Sequence, residues 1–316
     1  MSGRSKLLPL IGLIIAMALW ASSFIVLKLA FRSYHPMVVI FGRMLVASLC
    51  FLFFMPRLRS VTFHRGDWKL ILFMAVCEPC LYFLFEAKAI ENTAASQAGM
   101  ISALLPLMVA VAARIFLKEI ITVRTVLGFL LAIGGAVWMS LSGAASPMAP
   151  HPALGNLLEF LAMVCATGYT IALKRLTARY SPWLLTAFQA IVGSLFYLPI
   201  LFLPATRLPA AIDPGGVLAI LYLGAFISFA AYGLYNFGVS RIPVSQASAF
   251  VNLIPVFTIL MAGLILGEQL TLSQCVAALL ILAGVFLSQN RAGRLLVSRA
   301  LRERLPENNP LLQVSK

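Results

Sequence analysis

Two segments of this chain carry the same sequence pattern. Residues 96–135 align with residues 245–284 without a gap, at a constant offset of 149 positions. The shared landmarks are a Ser-Gln-Ala triplet, a proline and a glutamate: Ser96/Ser245, Gln97/Gln246, Ala98/Ala247, Pro106/Pro255 and Glu119/Glu268. A repeat of such a long period indicates that the fold is built from two related units.

The repeat also extends upstream, at an offset of 146. The matched positions there are Lys28/Lys174, Pro36/Pro182, Arg43/Gln189 and Ser48/Ser194. The three additional residues of the second copy fall in the loop 204–216, which is rich in Pro, Ala and Gly. We therefore predict a first repeat at 8–142, a second at 154–288, and a basic cytoplasmic tail at 289–316.

Composition places most of this chain in lipid. Hydrophobic residues make up 61% of the sequence and charged residues 11%, whereas a soluble domain is about one quarter charged. The basic residues lie between apolar segments and in the tail, a distribution that does not favour nucleic-acid binding. Apolar segments long enough to cross a bilayer as helices are predicted at 8–30, 37–55, 69–90, 94–117, 124–141, 154–173, 183–203, 217–239, 244–266 and 272–289.

The basic residues also predict the orientation of the chain. With the N-terminus in the cytoplasm, nearly all Lys and Arg residues outside the spans fall on the cytoplasmic side, as the positive-inside rule expects. Those on the other side are Lys28, Arg32, Lys88 and Arg207. Both termini are thus predicted to be cytoplasmic. Because each repeat has five spans, the second repeat enters the membrane in the opposite sense, an arrangement typical of secondary transporters.

Three local patterns allow more than one interpretation. The N-terminus resembles a signal peptide, but its apolar run is too long for one, which favours an uncleaved first helix. Cys77 and Cys80 have CxxC spacing, yet no second pair accompanies them, so packing is favoured over a redox or metal site. The tail is equally consistent with an amphipathic helix on anionic lipid and with disorder.

Ionisable residues inside predicted spans are candidates for function because their burial in lipid is costly. Arg114 lies near the end of its span and is expected to extend toward the surface. The candidates for gating or coupling are Arg43, Glu78, Glu86 and Glu159. An Arg43–Glu86 ion pair would offset both burial costs, either as a fixed brace or as a gate. For Glu78, helix packing and a site role are equally favoured.

Paired prolines and polar side chains predict a central cavity. Pro106 and Pro255 lie near the middle of the fourth and ninth spans, where each removes a helix hydrogen bond and acts as a predicted hinge. Polar residues precede each kink, and aromatic residues with polar tips lie in other spans. The predicted substrate-binding residues are Trp20, Gln97, Ser102, Tyr169, Tyr232, Tyr235, Asn236, Ser248 and Asn252.

The sequence contains none of the short motifs of hydrolases, metalloproteases or phosphate-binding loops. Neither a metal site nor a cofactor is predicted. The expected partners are a small-molecule substrate and the lipid bilayer, and the sequence does not indicate an oligomeric state.

Several of these residues together resemble the EamA-type permeases of the drug/metabolite transporter superfamily. The resemblance rests on Trp20 to Phe24 with Lys28, on Pro36 and Arg43, and on the two blocks that run from Ser96 to Glu119 and from Ser245 to Glu268. It implies an all-α bacterial inner-membrane permease with ten transmembrane helices in two inverted five-helix repeats. It further implies export of amino acids or related small metabolites by alternating access. A non-transporting membrane scaffold is the alternative, and an intramembrane enzyme is less favoured.

Overall fold

The computed structural model describes residues 3–54, 64–117, 123–143 and 145–288. Within these residues, nine helices are long and apolar enough to cross a membrane and one further apolar helix is shorter. The ten helices are α1 Leu8–Ser33, α2 Pro36–Phe53, α3 Asp67–Asn92, α4 Ala95–Leu117, α5 Val123–Leu141, α6 Pro152–Leu176, α7 Pro182–Ile200, α8 Pro214–Arg241, α9 Val244–Leu266 and α10 Leu272–Leu287. The predicted all-helical architecture is confirmed. Glu119 and the predicted tail lie outside the described residues.

Helices α1–α5 and α6–α10 form two five-helix repeats. Some equivalent helices of the two repeats contact each other. The clearest meeting point is between α2 and α7, where the hydroxyl groups of Ser48 and Ser194 are 3.0 Å apart. These two serines are equivalent positions of the repeat. Their mutual hydrogen bond therefore marks where the axis that relates the two repeats passes through the molecule.

Helices α5 and α10 pack closely at another equivalent pair, Gly135 and Gly284. A Cβ atom on Gly284 would lie 2.4 Å from the carbonyl oxygen of Gly128, and one on Gly135 would lie 2.8 Å from the backbone nitrogen of Ile281. Both distances are shorter than van der Waals contact. Small residues at these positions thus allow the two backbones to approach, as in many membrane helix pairs.

Both helices that contain a central proline are interrupted just before it. Helix α4 is broken by a turn at residues 103–104, ahead of Pro106. Helix α9 narrows to a 3₁₀ turn over Phe250–Asn252, ahead of Pro255. Because proline has no N–H, the carbonyl four residues earlier loses its helical partner. The predicted interruption is confirmed at both sites, whereas the hinge role of the two prolines stays a prediction.

A second pair of equivalent irregularities lies in the middle of α3 and α8. In α3, the segment Val76–Leu81 departs from α-helical geometry, and Glu78 has the extended backbone angles φ −149° and ψ 118°. In α8, residues Leu223–Ala231 form a π-helical stretch. Pro79 signals the first irregularity in the sequence, but no proline marks the second. Such local departures from α-helical geometry are frequent at functional sites.

Polar contacts at helix ends also connect the two repeats, and one of them follows α9. Gly267 ends α9 with a left-handed φ of 68°. The Glu268 carboxylate that follows accepts hydrogen bonds of 2.9 Å from the backbone N–H groups of Ala95 and Ser96, at the start of α4. The first N–H groups of a helix have no acceptor within the helix, and the Glu268 carboxylate supplies one for α4.

Two further contacts at helix ends use equivalent tyrosines, which follow α1 and α6. The Tyr34 hydroxyl accepts from the N–H of Asp213 at 2.8 Å, just before α8. The Tyr180 hydroxyl donates to the carboxylate of Asp67 at 3.0 Å, at the start of α3. A tyrosine of each repeat therefore contacts the start of an irregular helix, α8 or α3, in the other repeat.

Candidate transport site

A central cavity lies between the two repeats, and the centre of a water-sized sphere can occupy about 40 Å³ of it. Many residues of its wall occupy equivalent positions in the first and second repeat. These pairs are Trp20/Ala166, Ser23/Tyr169, Phe24/Thr170, Glu78/Ile227, Glu86/Tyr235, Ser102/Val251 and Leu105/Ile254. The cavity therefore lies on the axis of the repeat. Ser102 and Val251 are also the residues whose carbonyls lose a helical partner to Pro106 and Pro255.

Arg43 of α2 is buried in the wall and contacts the other repeat. Its Nε donates to the hydroxyl of Ser228 in α8 at 2.9 Å. Its Nη1 lies 3.5 Å from Oε2 of Glu86, and the guanidinium carbon is 4.3 Å from the centre of the Phe83 ring. The predicted Arg43–Glu86 ion pair is present, with both side chains almost fully buried. Removing either member would leave a buried charge without its partner.

Glu78 lies at the irregular segment of α3 and contacts two helices of the second repeat. Its Oε1 accepts a hydrogen bond from the hydroxyl of Tyr232 in α8. Its backbone carbonyl accepts from the amide of Gln189 in α7 at 3.1 Å. Extended backbone at Glu78 frees this carbonyl from the helix, and Gln189 then satisfies it.

The aromatic part of the wall is built around Trp20. Its ring centre is 5.0 Å from that of Tyr232 and 4.8 Å from that of Tyr235. The indole Nε1 is buried and has no hydrogen-bond partner among the described residues. An indole N–H that is left free beside a cavity is available to an acceptor on a bound molecule.

Tyrosine hydroxyls in the wall are held by neighbouring polar side chains. Tyr169 donates to Oδ1 of Asn236, and the amide of Asn236 donates to Thr186 Oγ1 at 2.8 Å. Tyr82 donates to Glu86 Oε1 at 2.9 Å. These bonds fix the orientation of the rings that face the cavity.

The predicted site residues divide into two groups by their location. In the cavity wall the structure places Trp20, Ser102, Tyr169, Tyr232, Tyr235, Arg43, Glu78 and Glu86. The remaining predicted residues are Gln97, Asn236, Ser248, Asn252, Glu159, Pro106 and Pro255, none of which is among the residues that line this cavity.

The residues outside the wall have distinct surroundings. Gln97 accepts from the amide of Asn156 at 2.9 Å, and Ser248 donates to the carbonyl of its own helix. Neither polar atom of the Asn252 side chain, nor either carboxyl oxygen of Glu159, has a hydrogen-bond partner among the described residues. Glu159 is completely buried and close enough to Glu86 for their charges to interact.

Several polar residues at or beside the wall were not predicted as site residues: Ser23, Tyr82, Thr170, Thr186, Gln189 and Ser228. The repeat contains a signal for one of them, because Gln189 is the equivalent of Arg43. Tyr82 is one of the aromatic residues with polar tips in the spans. The remaining four are single Ser or Thr residues in apolar helices, a pattern that more often reflects hydrogen bonding to the residue's own helix.

The CxxC pair does not form a disulfide. Cys77 and Cys80 are both buried free thiols, and no group of three or more potential metal ligands occurs among the described residues.

Comparison with known proteins gives the family of this chain. Residues 7–141 and 153–289 each match the EamA-like transporter family. The chain belongs to the EamA-like transporter family. Two copies of the family unit in one chain agree with the two five-helix repeats that enclose the cavity. The family and its named relatives are transporters rather than enzymes.

Relatives of this EamA-like chain occur in bacteria and archaea. An uncharacterized transporter of Bacillus subtilis, YetK, is 26% identical over 88% of this chain and 86% of its own length. A probable terminal-alkyne amino-acid exporter of Streptantibioticus cattleyicolor is 25% identical over 89% of this chain and 93% of its own. One crystal structure superposes with a TM-score of 0.63 at 21% identity, covering 92% of this chain and 99% of that one. That last likeness shows the fold alone.

Proposed function

We propose that this multi-pass membrane protein exports amino acids or related small metabolites across a bacterial inner membrane, with both termini in the cytoplasm. Substrate would bind in the central cavity, and the two inverted repeats would open it to each side in turn. The observation that carries the proposal is that equivalent positions of both repeats line one cavity. Two related halves around one site can exchange conformations to give inward and outward openings.

The chemistry of the wall and one relative support this class of substrate. The cavity combines aromatic rings with a few charged groups, the combination found in sites for small organic molecules. The relative from Streptantibioticus cattleyicolor is described as a probable amino-acid exporter. The proposed substrates and direction extend that description to this chain.

Efflux from proteoliposomes would test the proposal. Liposomes that contain the purified full-length protein would be loaded with radiolabelled amino acids and the corresponding amines, and release would be compared with protein-free liposomes. Release of at least one of these compounds is expected. Its absence across the whole panel would contradict the proposal and would favour a non-transporting membrane component.

A matched pair of tryptophan substitutions makes the test specific for the cavity. Ser102→Trp places a large ring in the wall and should abolish efflux. Leu130→Trp adds a ring to an exposed position of α5, where the leucine is 60% exposed, and should retain it. Equal efflux by both variants would show that substrate does not pass through this cavity.

A further inference from the structure

Carboxyl groups outnumber cationic groups in the cavity wall. In the described part of the chain, Glu78 and Glu86 line it together with a single guanidinium, that of Arg43. Glu86 lies in ion-pair distance of Arg43, but no such pair joins Glu78 to a basic group among the described residues. Glu159, buried close behind Glu86, adds a further carboxyl group and no cation. A buried carboxylate without a counter-charge is costly, so a cation in the cavity would be stabilised there.

Arg43 is poorly placed to bind the carboxylate of a substrate. Its side chain is 1% exposed and already contacts Glu86, Ser228 and the face of Phe83. Among the residues that the structure describes, no other Lys or Arg lines the cavity. A zwitterionic amino acid would thus bring a negative charge to a wall whose described cation, Arg43, already lies at ion-pair distance from Glu86, although its Nη1 makes no hydrogen bond among the described residues.

The aromatic residues, by contrast, are suited to a cation. The hydroxyls of Tyr232, Tyr82 and Tyr169 are bonded to protein groups, so the rings themselves form the aromatic surface of the cavity. Trp20 packs against Tyr232, whose hydroxyl in turn reaches Glu78. Aromatic rings beside a carboxylate are a favourable environment for an organic ammonium group.

We infer that the preferred substrate is a monovalent organic amine, with its ammonium group at Glu78 and its apolar body among Trp20, Tyr232 and Tyr235. The inference rests on the proposed transport function and names its substrate class. It distinguishes an amine from the amino acid that differs from it only by a carboxylate. Phenylethylamine and phenylalanine form such a pair of probes.

Binding of both probes to the purified full-length protein would be measured by thermal shift, and their efflux would be measured from proteoliposomes. Phenylethylamine should bind at least about 10-fold more tightly than phenylalanine and should be the better transported compound. Glu78→Gln should weaken amine binding by about 10-fold or more, because it removes a charge-assisted contact. Glu91→Gln changes a carboxylate of the same helix that pairs with Lys88 and does not line the cavity, so it should leave binding unchanged.

Substitutions at Trp20 keep the inference testable if Glu78→Gln fails to fold. Trp20→Leu should weaken amine binding by about fivefold, and Trp20→Phe, which keeps a ring, by less. Equal losses for the two variants would contradict an aromatic contact between residue 20 and the bound amine.

The outcomes separate the inference from the proposed function. Transport of phenylalanine as well as or better than phenylethylamine would overturn the inference and leave transport through the cavity standing. Unchanged amine binding in a folded Glu78→Gln variant would overturn it too. Failure of the wild-type protein to move any compound of the amino-acid and amine panel would overturn both.

Discussion

The two repeats have similar backbones but contribute different chemistry to the cavity. Both interrupt their fourth helix before a proline and their third helix near its middle. Yet Glu78 of the first repeat corresponds to Ile227 of the second, Glu86 to Tyr235, and Arg43 to Gln189. Among the described residues that line the cavity, the charged ones all belong to the first repeat. Duplication thus preserved helix geometry, while the charged residues described in the cavity wall, with their burial cost, belong to the first repeat.

The largest expected effect concerns the inverted relation of the repeats. Reporter fusions after Ser142 and Ala205 should be external, and a fusion after Arg179 should be cytoplasmic, because five spans reverse the sense of the second repeat. Alkaline phosphatase and green fluorescent protein activities would measure this as an all-or-none difference. A cytoplasmic location for the Ser142 fusion would contradict the inverted arrangement, because the first repeat would then cross the membrane an even number of times.

A large loss of stability is expected when Arg43 is replaced by glutamine, the residue at the equivalent position, Gln189. Arg43→Gln leaves the buried Glu86 without its partner and should destabilise the protein by about 3–5 kcal/mol. Chemical denaturation in detergent would measure the change.

The double variant Arg43→Gln/Glu86→Gln is the control for this prediction. It removes both charges and should recover part of the lost stability. A double variant no more stable than the single one would show that Arg43 does not act through Glu86.

An intermediate effect is expected where α5 and α10 meet. Gly284→Ala would place a methyl group 2.4 Å from a backbone oxygen, and should destabilise by about 1–3 kcal/mol. Gly134→Ala is the matched control, since no atom lies within 4 Å of the added methyl. Equal melting temperatures for the two variants would contradict the close contact seen at Gly284.

The smallest effect is expected at the carboxylate of Asp213, the residue whose backbone contacts Tyr34, and this effect depends on pH. The Ser33 hydroxyl and the backbone N–H of Gly216 hold the pKa of Asp213 below its usual value. A lowered folded-state pKa gives stability that is present above the unfolded pKa and is lost as the pH falls through the folded one. The difference in melting temperature between wild type and Asp213→Asn should therefore shrink below about pH 4.

Melting curves between pH 7 and pH 3 would measure this difference. Ser33→Ala, which removes the side-chain donor to the Asp213 carboxylate, should reduce it. A difference that stays constant over the whole pH range would show that the Asp213 charge does not contribute.

Much of the architecture could be predicted from the sequence because its causes are local. A run of about 20 apolar residues forms a spanning helix whatever its neighbours. Pro106 and Pro255 interrupt their helices because they lack an N–H. The cost of burying Arg43 and Glu86 also made their pairing predictable, since each needs a partner.

The tertiary structure alone decided which polar residues face the cavity. Helical spacing shows that Ser245, Ser248 and Asn252 share a face of α9. It does not show which helix that face contacts, and in the structure Ser248 and Asn252 do not line the cavity. Glu78 reaches a tyrosine 154 positions away in the chain, and Glu159 lies behind the wall rather than in it. The physical reason is that sequence period fixes the angle between side chains on one helix, while packing against other helices fixes the rotation of that helix as a whole.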